Sequence, residues 1–249
     1  MKDLLRRYVE AYGPSGYEDQ IRALVLEDIQ GLADDIQVDP LGSVLATVKP
    51  RGASGGKRVL IMGHMGEIGV IVSHVDKNGF VRFTNLGGVS PLFSIGGRVR
   101  FANGTLGVIG REHGGTGSPA LNELFIDVGA TSPEDCPVEV GDPGVFWQPM
   151  LEINEHRIAA KSMDDRISVV IMIELLRRLK QTPHEVIFAF SVQEEVGLRG
   201  AGPAAFTADP DVGIAIDVTR TGDIPKHYQM EVHLGKGPAI KVRDSGMLA

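Results

Sequence analysis

Three short apolar runs constrain this chain more than any other feature. RVLIMG (residues 58–63), EVIFAFS (185–191) and VGIAIDV (212–218) are hydrophobic almost without interruption. Strands of that kind suit a sheet covered by helices on both faces, since a half-solvated strand would alternate apolar with polar residues. Each run also meets an ionisable group near its carboxyl end. His64 follows the first, Glu194 and Glu195 follow the second, and Asp217 lies near the end of the third. In open α/β sheets the carboxyl ends of the strands form the ligand crevice. A further acidic pair, Asp164 and Asp165, opens a helix predicted over residues 165–180. That helix is apolar nearly all round and should be mostly buried.

The rest of the chain divides by texture. Gly13-Pro14 is a break, and Ser15 stands three residues before Glu18, the spacing of a capping box. Ile21, Leu24, Val25 and Ile29 then give a helix one apolar face, and residues 43–48 read as a short strand. From about residue 70 to residue 155, β-type runs at 69–75, 80–84, 98–101, 106–109 and 124–128 alternate with Gly-rich turns. No helix pattern interrupts them, so this stretch reads as an inserted all-β barrel or sandwich. The α/β texture returns near residue 157. The expectation is an α/β fold, a mixed sheet covered by helices, with a small all-β insert.

Composition excludes some classes. In 249 residues, 25 Lys and Arg face 32 Asp and Glu, a net charge of −7. That balance argues against a nucleic-acid partner, which would call for a basic face. No apolar run is long enough to span a bilayer, and residues 1–10 lack a signal-peptide core, so no membrane partner and a cytoplasmic location are expected. The lone Cys136 precludes an intrachain disulfide and reads as a small apolar residue.

His, Asp and Glu without Cys form a nitrogen-and-oxygen donor set suited to Zn²⁺, Co²⁺ or Mn²⁺. Two metals about 3.5–4 Å apart need a bridging carboxylate with terminal ligands on either side. Another carboxylate must stay free to move a proton. Each residue also has a plainer reading. Glu194 and Glu195 can be a solvated strand end, and Asp164 and Asp165 can cap a helix. His64 can be a structural histidine. Asp217 resists such a reading, because it ends an otherwise apolar strand.

Longer motifs carry a resemblance. AKSMDDR (160–166), VQEEVGLRGA (192–201), AIDV (215–218) with GDIP (222–225), GHM (63–65), EIG (67–69), DVGATS (127–132) and LGKGPAI (234–240) run the length of the chain. Together they resemble the tetrahedral, glutamyl-type metallo-aminopeptidases, some of whose relatives are labelled endoglucanase or cellulase M. The resemblance implies two divalent metal ions, zinc or cobalt. Asp164 would bridge them, His64 and Asp217 would complete one site, and Glu195 would bind the other. Glu194 would be the general base, taking a proton from the attacking water and passing it to the leaving amine. The catalytic domain would comprise residues 1–68 and 157–249. Residues 69–156 would be an inserted PDZ-like dimerisation barrel. The partners would be a peptide with a free N-terminus and further copies of the chain, from a dimer up to a dodecamer.

Two departures from the family pattern set an alternative beside this reading. Gly66 stands where the pattern His-x-Asp has an Asp that orients the metal-binding imidazole. Loss of such a partner costs about 10–100-fold in affinity or activity. Glu67 points the other way on an extended segment and is not expected to substitute. Restoring Asp at residue 66 is expected to strengthen metal retention. Family members also continue past the position of Ala249 into a segment with a late metal-binding His. His227 and His233 are expected to be surface or structural residues rather than stand-ins. The alternative is an impaired or catalytically inactive, oligomer-forming subunit. A glycosidase is a third reading, disfavoured because adjacent Glu194 and Glu195 would not face each other across a sugar ring.

Overall fold

The computed structural model describes residues 1–52, 55–115, 117–226 and 230–242. Residues 1–217 form one compact unit and residues 218–249 another.

The first unit is built on a five-stranded sheet. After two helices, α1 (Lys2–Glu10) and α2 (Asp19–Ile29), come β1 (Asp35–Val38), β2 (Val44–Val48) and β3 (Arg58–His64). The chain then leaves for a barrel made of β4 (Gly69–Val75), β5 (Val81–Leu86), β6 (Arg98–Phe101), β7 (Leu106–Arg111), β8 (Leu124–Asp127) and β9 (Pro143–Phe146), with a short helix α3 (Pro91–Ser94) between β5 and β6. A hairpin of β10 (Leu151–Asn154) and β11 (Arg157–Ala159) leads into α4 (Met163–Arg178). The sheet is completed by β12 (Glu185–Ser191) and, beyond α5 (Ala201–Ala208), by β13 (Val212–Ala215).

The order across the sheet is β1-β2-β12-β3-β13. β12, β3 and β13 run parallel, and β2 and β1 run antiparallel to their neighbours, so the sheet is mixed as expected. Its apolar strands are explained by period-two packing against two layers. Val44, Ala46, Val48, Val186, Phe188 and Phe190 join one core with α1, α2 and α4. Leu45, Leu60, Ile187 and Ala189 face the other way, onto Ala204 and Ala208 of α5. The expected cover on both faces fails at β13, which is an edge strand with Ile214 47% exposed.

The insert is a closed six-stranded barrel, β4-β5-β8-β7-β6-β9. Val70, Val72, Val81, Phe83, Val99, Phe101, Ile109, Leu124 and Ile126 fill it. The expected absence of helix there holds apart from α3 and two single turns of 3₁₀ helix. The barrel is tied to the chain's first residues by buried hydrogen bonds. The Tyr12 hydroxyl donates to the Pro143 carbonyl at 2.8 Å, and Arg100 donates to the Glu10 carbonyl at 2.9 Å.

Two local expectations are corrected. The capping box does not form: Glu18 itself is the N-cap residue of α2, and the buried Ser15 hydroxyl lacks a hydrogen-bond partner. Glu18 instead turns away from its helix, towards Gln193. The long helix begins irregularly, with Asp164 and Asp165 in non-helical conformations joined by a cis peptide bond, so regular turns start at Arg166. It is buried along most of its length, although Leu175 is 40% exposed.

Within the second unit the described residues carry no helix or strand. Its turns close through the Gly222 amide on the Val232 carbonyl and the Leu234 amide on the Asp223 carboxylate. His233 is exposed, as expected, and His227 lies outside the described residues.

Candidate metal centre

The parallel register of β12 on β3 pairs Ser191 with His64, so both strands end at one level. The turn after β12 carries Glu194 and Glu195 beside the imidazole. Asp217 follows β13, two residues beyond its last paired residue, Ala215. Asp164 enters from the start of α4.

These five residues come together. His64, Glu194 and Asp217 place one ligand atom each within 4.8 Å of one another, and so do His64, Asp164 and Glu195. Nε2 of His64 is 3.1 Å from Asp164 and 3.6 Å from Glu194. The two groups overlap at His64. The imidazole is only 3% exposed, whereas the Asp164 side chain is 57% exposed, so the centre opens to solvent on the acidic side.

The other imidazole nitrogen is committed. Nδ1 of His64 lies 3.1 Å from the Gly66 carbonyl oxygen, which fixes the ring and turns Nε2 towards the carboxylates. An imidazole held in this way by a backbone carbonyl is a common arrangement at metal sites. The space a side chain at residue 66 would enter is taken. A Cβ there would lie 2.7 Å from Ser15 Oγ and 3.0 Å from Glu18 Oε1.

The electrostatics are those of a cation site. Burial alone would lower the His64 pKa, but the Asp164 hydrogen bond and the charges of Asp165, Glu194 and Asp164 raise it to about 9. Burial, reinforced by Asp164, lifts Glu195 to about 7. Burial also raises Glu194, against the pull of His64. Four carboxylates around one buried imidazole hold excess negative charge, and all donors are nitrogen or oxygen. A divalent cation fits this donor set.

Sequence reasoning passed over the residues that hold the centre in place. Asp165 is fully buried, accepts the His64 amide at 3.3 Å and bonds the Ser168 hydroxyl. Arg166, also fully buried, donates to the carbonyls of Met65, Tyr8 and Gly13 and to Glu67. Lys161 closes the same network on Glu67 at 2.6 Å. Glu67 is thus fully engaged away from His64, in line with the expectation that it would not replace an orienting Asp. The motif AKSMDDR contains the signal: two basic residues, Lys161 and Arg166, and one acidic residue, Asp165, flank Asp164, the one Asp of the motif assigned a role.

Comparison with known proteins identifies the family. The profile of the M42 glutamyl aminopeptidase family matches residues 42–249. A lysyl aminopeptidase of Pyrococcus furiosus is 35% identical over 257 residues, covering 96% of this chain and 72% of that protein. The structure of an aminopeptidase from the archaeon Desulfurococcus kamchatkensis superposes with a TM-score of 0.91 at 38% identity, covering 96% of this chain and 69% of that one. The TET1 peptidase of Pyrococcus horikoshii, which can assemble into a tetrahedron or a large octahedral shell, gives a TM-score of 0.78 at 32% identity over 90% of this chain and 72% of its own. By its sequence over residues 42–249 and by its fold, the chain belongs to the M42 glutamyl aminopeptidase family of peptidases.

Proposed function

We propose that this chain is a metal-dependent aminopeptidase that removes N-terminal residues from peptides, with two divalent ions, zinc or cobalt, as its cofactors. One observation carries the reading: a buried imidazole and four carboxylates from four separate segments converge within ligand distance. His64, Asp164, Glu195 and Asp217 would hold the ions, with Asp164 as the bridge. Bound there, the ions would supply Lewis acidity, lowering the pKa of a water and polarising the scissile carbonyl.

The chain's own residues do the rest. The Gly66 carbonyl fixes the His64 ring so that Nε2 faces the carboxylates. Asp165 and Arg166 hold the backbone at His64 and Met65. Glu194 acts as general base, taking a proton from the attacking water and returning it to the leaving amine. Its burial raises its proton affinity, which favours both halves of that shuttle.

The inactive-subunit alternative drew on Gly66 and on the late His of the family pattern, and the carbonyl partner of His64 weakens the first ground. A glycosidase needs two carboxyl groups on opposite sides of a sugar, about 5–9.5 Å apart. Here the acids gather around a single imidazole, which favours the peptidase. We assign residues 1–68 and 157–249 to the catalytic domain and residues 69–156 to a PDZ-like dimerisation barrel. The expected assembly runs from a dimer up to a dodecamer, and the expected location is cytoplasmic.

The test is release of the N-terminal residue from aminoacyl amides and short peptides after chelation and after reloading with Zn²⁺ or Co²⁺. Reloading should restore activity, and Glu194→Gln should lower kcat by about 10²–10⁴. A Glu194→Gln protein as active as the parent would overturn the assigned role.

A further inference from the structure

We infer that Glu18 is a positioning residue of the metal centre, one that clamps the turn carrying Glu194 and Glu195 to the segment carrying His64. The inference rests on the metal-centre reading for its consequence but not for its geometry.

Glu18 is 4% exposed although it stands at the start of α2, where a carboxylate would ordinarily face solvent. It does not cap its own helix through its side chain. Its Oε1 instead accepts the backbone amide of Gln193 at 2.8 Å. Gln193 has φ +55°, in the left-handed region that non-glycine residues rarely enter. Such a conformation persists when the surroundings over-determine it. The buried acceptor on its amide is one such constraint. The turn then closes on itself, with the amides of Gly197 and Leu198 on the Glu194 carbonyl and that of Arg199 on the Gln193 carbonyl.

The same Oε1 lies against residue 66. A Cβ at Gly66 would lie 3.0 Å from it, so a side chain there would push against the carboxylate. Gly66 in turn holds the His64 ring through its carbonyl. One carboxylate from outside the centre thus touches both segments that supply ligand atoms.

The test uses three variants of the full chain. Glu18→Gln keeps the reach and an acceptor oxygen, Glu18→Asp keeps the charge but withdraws the acceptor by one methylene, and Glu18→Ala removes it. Hydrogen exchange of residues 193–195 is measured without metal, and Co²⁺ binding is followed by titration and visible absorption. Glu18→Asp and Glu18→Ala should speed exchange at 193–195, weaken Co²⁺ binding about 10–100-fold and alter the Co²⁺ spectrum. Glu18→Gln should restore parent behaviour. Parent-like exchange in both Glu18→Asp and Glu18→Ala would overturn the inference, as would a Glu18→Gln protein as impaired as Glu18→Ala. If Glu18→Ala does not fold, the Asp and Gln pair decides. A parent chain that takes up no Co²⁺ would count against the metal-centre reading, and the exchange data would still decide the role of Glu18.

Discussion

The Nδ1 nitrogen of His64 sits 3.1 Å from the carbonyl oxygen of Gly66, so the ring is oriented by the backbone of the residue whose side chain is missing. This changes the expected outcome of restoring Asp at that position. A Cβ at residue 66 would press on Ser15 Oγ at 2.7 Å and on Glu18 Oε1 at 3.0 Å, and an added carboxylate would stand beside an existing one. Overpacking of a filled interior costs about 1–3 kcal/mol. Gly66→Asp should therefore lower the urea midpoint and leave metal affinity unimproved. Tighter Zn²⁺ binding at unchanged stability would show that the carbonyl is an inadequate partner for His64.

The titrating groups at the centre predict an unusual pH profile for the metal-free protein. His64 is raised from 6.5 to about 9. Glu195 is raised from 4.5 to about 7 by burial and Asp164, and Asp165 from 3.8 to about 7 by burial. All three folded values lie above the unfolded ones, so the folded chain binds more protons and loses stability as pH rises. The carboxyl contributions are lost through about pH 7. The His64 contribution is complete below pH 6.5 and is lost as pH passes about 9. Metal displaces these protons, so its affinity should rise over the same range. Melting curves from pH 5 to 9 should show the chelated protein falling steadily while the Zn²⁺-loaded protein does not. Parallel curves would show that these groups do not face the ion.

Arg166 makes a separate prediction about stability. It is fully buried and donates to four backbone carbonyls, those of Tyr8, Ala11 and Gly13 in the first segment of the chain and that of Met65 after β3. It also pairs with Glu67 at 3.3 Å, and removing one partner of a buried pair typically costs about 3–5 kcal/mol. Arg166→Met should lose stability on that scale. Arg166→Lys should recover only part of it, because an ammonium cannot reproduce the planar fork. Denaturant unfolding of both variants checks this, and a loss below about 1 kcal/mol in Arg166→Met would show that the network is redundant.

What was legible in the sequence follows the range of the interactions. β12 was readable because its burial is imposed by its own residues, Val186 to Phe190, alternating between two layers. The convergence of His64, Glu194, Glu195 and Asp217 was readable because strand ends collect them, and Asp164 joins them from the start of α4. The capping box at Ser15 was misread because a long-range contact, Glu18 to Gln193, outcompetes a local one. The incomplete cover of β13 was not legible, because an apolar strand pattern does not say what lies against each face. Asp165 and Arg166 were passed over because their partners lie about a hundred residues or more away, at His64, Met65 and Tyr8.

The barrel approaches the centre at the turn after β5, and adjacent glycines there make a matched test. Gly87, in the turn after β5, has φ +75°, and a Cβ on it would lie 2.9 Å from Ile68 and 3.0 Å from the Cβ of Glu195. Gly88 beside it faces open space, with no atom within 4 Å of such a Cβ. Gly87→Ala combines a backbone conformation that L residues disfavour with a collision against a proposed metal ligand. It should displace Glu195, weaken Co²⁺ binding and change the Co²⁺ spectrum. Gly88→Ala should bind Co²⁺ as the parent does. Equal effects from the two substitutions, or none from Gly87→Ala, would mean that the barrel turn does not set the position of Glu195. A loss confined to Gly87→Ala would make the barrel part of the wall of the centre, whatever its role in assembly.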